Sequence, residues 1–287
     1  MNSAPAPIAP GLNCFFTFHP DPGCPSGYLL RKHFQKACAE AFLEVDLHRT
    51  ASQVCPGVAQ FSSQTLTSGQ LSVDVEWCPD GDLQTMLEAR VRESAREQLY
   101  LPADWLYSVT QQMLETLATL HASRIAHRQI SLKHWVLAGN RVKLIDFSKA
   151  KLIQKDKTVG AHTLCNTKAN TSPDTVQSAR CRESTENNPF KEDVWALGKV
   201  LYELATFKSY RYLNCKPMDI LHQEVEIQFS RLGYSPLQPV LLAMLAWDYI
   251  QRVTATEALV LLRRQLASPL EQPSNQQEEA KDFDFGT

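Results

Sequence analysis

A chain of 287 residues, 44% apolar and 21% charged, is long enough for one large domain or two modest ones and too apolar to remain disordered. With 29 Lys+Arg against 31 Asp+Glu, the net charge of −2 provides no global attraction to nucleic acid or to a membrane surface. The eight cysteines are scattered and form no CxxC pair, which excludes a zinc or disulfide framework and leaves reduced, structural thiols.

Residues 1–10 carry three prolines and little apolar material, and they read as a flexible lead. They have neither a basic n-region nor an apolar h-region, so no secretory leader is expected there. No window approaches the roughly 18 apolar residues that a membrane span needs. The cytoplasm or the nucleus is the expected compartment, with no membrane insertion and no nucleic-acid partner. Residues 269–287 are polar and acidic without helical period, and are expected to be a disordered tail.

The folded part, 11–268, begins with strands. "CFFTFH" (14–19) and "GYLLRKHF" (27–34) flank a Pro- and Gly-rich turn, which predicts a hairpin. A helical pattern covers 35–51, with Ala41, Val45 and His48 at its spacings and Glu44 inside it. "GVAQFSSQTL" and "GQLSVDVEW" predict a second strand pair, the latter alternating Leu71, Val73, Val75 and Trp77.

From residue 82 the pattern turns helical. "ADWLYSVTQQMLETLATLHAS" places Leu106, Val109, Met113, Leu117 and Leu120 on one stripe, with Asp104 as the expected N-cap. In "EDVWALGKVLYELAT" (192–206) the apolar residues wrap most of the helix, the mark of a core helix packed on several sides. Thr254 and Glu257 in "TATE" form a capping-box pattern before the last helix. Strands first and helices afterwards predict an α+β fold with a small sheet lobe, a larger helical lobe and a cleft between them.

Six segments, in order, resemble the eukaryotic protein kinase superfamily. "VEWCPDGDL" (75–83) is similar to the hinge, "HRQISLKHWVL" (127–137) to the catalytic loop and "DFS" (146–148) to the metal-binding turn. "SPD" (172–174) stands where the family has APE. "DVWALGKVLYEL" (193–204) resembles the anchoring helix of the large lobe, and "MLAWDYIQRVTATEAL" (244–259) the closing motif. The resemblance implies a bilobal kinase-like fold with a reduced N-lobe over about 11–77 and a C-lobe over about 80–268. By resemblance, His127 and Phe147 are spine positions and Asp193 bonds the backbone of the catalytic loop. Arg252 is expected to pair with Asp174, and Arg128 is the residue that would meet a phosphothreonine from the following loop.

The positions that carry chemistry depart from the family. Gln129 replaces the carboxylate that orients and deprotonates the substrate hydroxyl, and an amide cannot act as that base. His134 replaces the asparagine that holds a second Mg²⁺, an ion that prefers oxygen ligands. Ser131 replaces the loop lysine, for which Lys133 is a candidate substitute. Asp146 survives as the one metal ligand of an Mg-nucleotide. No glycine-rich phosphate loop precedes residue 31; its place would fall within 1–13. "YLLR" aligned with VAIK puts Arg31 at the phosphate-pairing position, with Lys32 on the opposite strand face, so only one of them reaches Glu44. Backbone groups of Glu76 and Cys78 would meet an adenine ring.

The resemblance therefore implies a degenerate member, a pseudokinase acting as scaffold or allosteric regulator of a protein partner, for which an active protein kinase is the candidate by family analogy. The alternative is a weak or unconventional ATP-dependent phosphotransferase. A third reading is structural nucleotide binding without turnover. ATP with Mg²⁺ is the only cofactor implied.

Overall fold

The computed structural model describes residues 14–93, 100–153, 159–160, 172, 186–208 and 218–267. The two predicted strand pairs form one four-stranded antiparallel sheet: β1 (Cys14–Pro20), β2 (Tyr28–Phe34), β3 (Phe61–Thr67) and β4 (Gln70–Glu76), in the order β1-β2-β4-β3. The β3–β4 link is the two-residue Ser68-Gly69, both at positive φ (49° and 81°). That conformation matches the twist of the flanking strands. Alternation sends Leu71, Val73 and Val75 into a small core with Phe34, Ala41 and Val45.

Helix α1 (Ala39–Val54) starts later and ends later than its pattern suggested, because Cys38 is extended and the Cys55 N–H still reaches Ala51 O at 2.9 Å. Its Ala41 and Val45 join the small core, while Leu47 and Ala51 join the large one. The helix thus belongs to both lobes. Its exit loop locks it there: Leu144 N donates to Gly57 O (2.8 Å) and Ala59 N to Leu144 O (3.1 Å).

The large lobe holds α2 (Leu83–Glu93), α3 (Ala103–Ala122), α4 (Pro189–Thr206), α5 (Met218–Arg231), α6 (Gln238–Met244) and α7 (Ala255–Ala267). The predicted stripe of α3 is buried in full. Its expected N-cap is corrected: Pro102 takes the cap position and Asp104 lies inside the first turn, where the helix dipole still favours a carboxylate. α4 is buried nearly all round, as its pattern predicted, and Asn188 Oδ1 caps it by accepting from Phe190 N. The capping box of α7 is present, with Thr254 N donating to Glu257 Oε2 (2.7 Å) and Glu257 N to Thr254 Oγ1 (3.2 Å). Two short antiparallel pairs complete the frame of the site: the hairpin of β6 (Trp135–Ala138) with β7 (Arg141–Leu144), and β5 (Ile125–Ala126) with β8 (Lys151–Leu152), which brackets that hairpin in sequence. Among the described residues no helix is long and apolar enough to cross a membrane.

Candidate functional site

The site lies where β2, α1, the loop between β5 and β6, and the turn after β7 converge. Strand alternation decides between the two basic residues of β2. Lys32 faces α1 and its ammonium donates to Glu44 Oε1 at 2.5 Å. Arg31 points to the other face and pairs with Asp74 on β4 through two bonds of 2.5 and 2.7 Å. The expectation for Arg31 at the phosphate position is therefore corrected; the residue that points to the cleft is Lys32. Burial opposes the charge on Lys32, but Glu44 and Asp146 outweigh it and hold its pKa above the usual value. Burial pushes the Glu44 carboxyl up in spite of Lys32. We read the pair as ionised, because the contact is close and Asp146 also favours the ammonium.

Asp146 sits at positive φ (65°), a conformation that costs a non-glycine residue about 1–2 kcal/mol. Ser148, at the family's glycine position, is not the residue that takes it; instead Ser148 N donates to Asp146 Oδ1 at 3.2 Å. The same Oδ1 lies 4.0 Å from Lys32 Nζ. The other oxygen, Oδ2, lies 3.4 Å from His134 Nε2. Burial works against the Asp146 carboxylate, but Lys32 and His134 together bring its pKa below the ordinary range.

Gln129 and His134 are joined to each other. His134 Nδ1 stands 2.6 Å from Gln129 O and 3.2 Å from Ser131 Oγ. A nitrogen facing a carbonyl must carry the hydrogen, which fixes the ring orientation. The Gln129 side-chain oxygen accepts from Ser148 Oγ at 3.4 Å. Position 129 is thus occupied by an amide turned toward the metal turn, and no carboxylate stands there. Lys133 is exposed on the one-turn helix Leu132–His134.

The fit of Mg²⁺ to this donor set can be judged directly. Asp146 supplies hard oxygens and fits. His134 does not fit: its one nitrogen is engaged by Gln129 O, and the other is a nitrogen where Mg²⁺ requires oxygen. Among the described residues no three His, Cys, Asp or Glu side chains cluster to hold a metal by themselves.

Beneath the site the scaffold positions meet. Asp193 accepts from His127 N (2.8 Å) and Arg128 N (2.7 Å), and lies 3.1 Å from His121 Nε2. His127 packs edge-on against Phe147, and Phe147 stacks on His48 from α1, each at 5.1 Å between centroids. His48 was legible as a buried-face residue of α1, but nothing in its spacing signalled that it completes this aromatic column. Burial holds its pKa down to about 4, although the Ala59 carbonyl it bonds at 2.7 Å works the other way.

At the hinge, the backbone N–H of Glu76 is taken by Gln60 O (2.8 Å) and is not open to a ligand. Its carboxylate pairs with Lys143 Nζ on β7 at 3.0 Å, which the sequence reading missed. Cys78 is buried, and burial together with Glu76 pushes its thiol up to about 12, so it is not a reactive thiolate. Arg252 is fully buried over the Trp195 ring and meets Glu192 Oε1 at 3.2 Å. Asp174, its expected partner, lies outside the described residues, as do Thr158, Thr163, Thr167 and Thr171. Glu192 also binds Ser172 through the hydroxyl (2.5 Å) and the backbone N–H (3.2 Å), a carboxylate next to Asp193 that motif reading passed over.

Residues 29–261 match the protein kinase domain family. Among curated proteins, the chain is 31% identical to the serine/threonine-protein kinase Nek1 of Mus musculus over 53% of this chain and 12% of that protein. It is 28% identical to the serine/threonine-protein kinase cds1 of Schizosaccharomyces pombe, over 72% of this chain and 41% of that protein. It is also 28% identical to the probable serine/threonine-protein kinase nek2 of Dictyostelium discoideum, over 48% of this chain and 31% of that protein. The chain spans less than half the length of each of these relatives.

Proposed function

The chain belongs to the protein kinase family, and from that premise we propose that it acts as a pseudokinase. In this reading it is an intracellular scaffold or allosteric regulator of a protein partner and does not transfer phosphate by the usual kinase route. The single observation that carries the reading is the Gln129–His134 pair. Two positions that the transfer step requires as carboxylate and metal-binding amide are an amide and an imidazole, the amide turned to Ser148 Oγ and the ring held by the backbone carbonyl of residue 129 at 2.6 Å. General-base loss alone reduces rate by about 10²–10⁴-fold, and the loss of a metal ligand acts on the same transition state. The Lys32–Glu44 contact and the His48–Phe147–His127 column favour a fixed lobe arrangement, as a binding surface needs. An active protein kinase is the partner suggested by family analogy, with cytoplasm or nucleus as its compartment.

A second reading, weak ATP-dependent phosphotransfer, draws on Lys32 and Asp146 facing one another at 4.0 Å and on relatives named as kinases. A radiometric assay of the purified chain with ATP, Mg²⁺ or Mn²⁺ and generic protein substrates separates the two. The regulatory reading expects background incorporation, unchanged in Asp146→Ala. Incorporation above background that Asp146→Ala abolishes would establish the second reading.

A further inference from the structure

The misfit of His134 to Mg²⁺ is a fit to a different ion. Zinc binds imidazole nitrogen and carboxylate oxygen at about 2.0–2.2 Å, and two such arms at a tetrahedral angle leave their donor atoms roughly 3.3–3.5 Å apart. His134 Nε2 and Asp146 Oδ2 lie 3.4 Å apart. The Nδ1 side of the ring completes the pattern: a metal-ligating histidine characteristically gives its other N–H to a backbone carbonyl, and here that carbonyl is Gln129 O at 2.6 Å. The second carboxylate oxygen is already occupied by Ser148 N and faces Lys32, so Oδ2 is the one directed at the ring.

We infer that His134 and Asp146 form one half of a divalent site selective for a nitrogen-accepting ion of the zinc class over Mg²⁺, its remaining positions filled by the phosphate oxygens of a nucleotide. Two protein donors are too few for tight binding by themselves, and no third His, Cys, Asp or Glu joins them among the described residues. A triphosphate supplies the missing oxygens, and Lys32 stands 4.0 Å from Asp146 to meet the charge that the ion leaves. The replacement of asparagine by histidine thereby changes which ion the cleft takes. This goes beyond the regulatory reading and holds whether or not phosphate is ever transferred.

The test is a thermal-shift titration of the intact chain with Zn²⁺, Mg²⁺ or neither, each with and without ATP, on the wild type, His134→Asn and Asp146→Asn. The expected result is a stabilisation by Zn²⁺ with ATP that exceeds the Mg²⁺–ATP value, with apparent affinities differing by at least about tenfold. In His134→Asn the order reverses, because an amide oxygen now faces Asp146. In Asp146→Asn the ATP-dependent increment disappears. Zinc bound to surface thiols stabilises or precipitates all three proteins alike, and the comparison between variants removes it. Co²⁺ as a stand-in gives a second readout: its visible absorption with ATP changes between wild type and His134→Asn if the ring nitrogen is a ligand. Equal or better stabilisation by Mg²⁺ in the wild type, no ATP-dependent increment with either ion, or an ion preference unchanged by His134→Asn each overturns the inference. Should a variant fail to fold, the wild-type preference alone decides. None of these outcomes reads phosphate transfer, so the inference can fail while the regulatory reading stands.

Discussion

Asp193 holds Arg128 in a left-handed backbone conformation. The Arg128 N–H donates to Asp193 Oδ1 at 2.7 Å while φ at Arg128 is 65°, and the same carboxylate accepts from His127 N at 2.8 Å. Left alone, that φ costs about 1–2 kcal/mol, so the loop keeps it only because the buried carboxylate takes two N–H groups at once. Asp193→Ala removes both acceptors and leaves two buried donors without them. A loss of about 2–4 kcal/mol in urea unfolding is expected. A loss below 1 kcal/mol on that same scale would mean that the loop is held by something else.

The Lys32–Glu44 pair is mostly buried, with side chains 16% and 12% exposed, and it joins β2 to α1. Lys32→Met leaves Glu44 and Asp146 as two carboxylates with no ammonium between them. A destabilisation of about 3 kcal/mol is expected, and the double variant Lys32→Met/Glu44→Met should recover a large part of it, because removing both charges removes the uncompensated one. A double-mutant cycle with no coupling would show that the contact contributes nothing to the placement of α1.

The legibility of the site in the sequence follows from which features are local. Strand alternation, the stripe of α3, the all-round burial of α4 and the Thr254–Glu257 box are set by neighbours within a few residues, and all were readable. Motif order placed Gln129, His134 and Asp146 in one cleft. What stayed hidden depends on strand phase or on distant pairing. Arg31 and Lys32 are adjacent in sequence, and one residue of phase sends them to Asp74 or to Glu44. His48, Lys143 and Glu192 find their partners across 99, 67 and 60 residues of chain, at Phe147, Glu76 and Arg252, and no periodicity encodes such pairs.

The His48 ring sets a pH dependence. Burial depresses its folded pKa to about 4 from an ordinary 6.5. As pH falls, the unfolded chain takes the proton first, so the stability contributed by neutral His48 is complete above about 6.5 and is lost as pH falls toward about 4. The slope for one proton is about 1.4 kcal/mol per pH unit, which gives a loss of roughly 2 kcal/mol by pH 5. His127, whose pKa burial also depresses against the pull of Asp193, adds in the same direction. Urea unfolding between pH 7.5 and 5 should display the slope, and His48→Leu should flatten it. A wild-type profile flat over that range counts against buried neutral rings.

Gly57 lets the exit loop of α1 rest on α3. A Cβ at this position would lie 1.9 Å from Thr116 Oγ1 and 3.0 Å from Thr116 Cβ. The hydroxyl is itself held by Gln112 O at 2.8 Å, so it does not simply swing away. Gly57→Ala should therefore push the loop off the helix at about 1–3 kcal/mol. Thr116→Ala in the same chain should restore part of that stability, a rescue seen as a gain in melting temperature over the single variant. If Gly57→Ala melts like the wild type, the close approach of loop and helix is not what fixes α1.

Gln129→Asp restores the carboxylate but nothing else. Aspartate is one methylene shorter than the glutamine whose amide accepts from Ser148 Oγ at 3.4 Å, so the substitution gives up a long bond, introduces no clash, and the protein should fold. His134 still stands 3.4 Å from Asp146 with its Nδ1 on the carbonyl of residue 129, and the oxygen-lined second Mg²⁺ position is still missing. General-base catalysis contributes about 10²–10⁴-fold only when the phosphate and its ion are already in place. Phosphate incorporation by Gln129→Asp with Mg²⁺ is therefore expected to stay at background. Gln129→Asp/His134→Asn, which returns both groups, is the variant in which activity would first rise. Robust transfer by the single variant would mean that the imidazole at 134 is no obstacle, and that the regulatory reading rests on the amide alone.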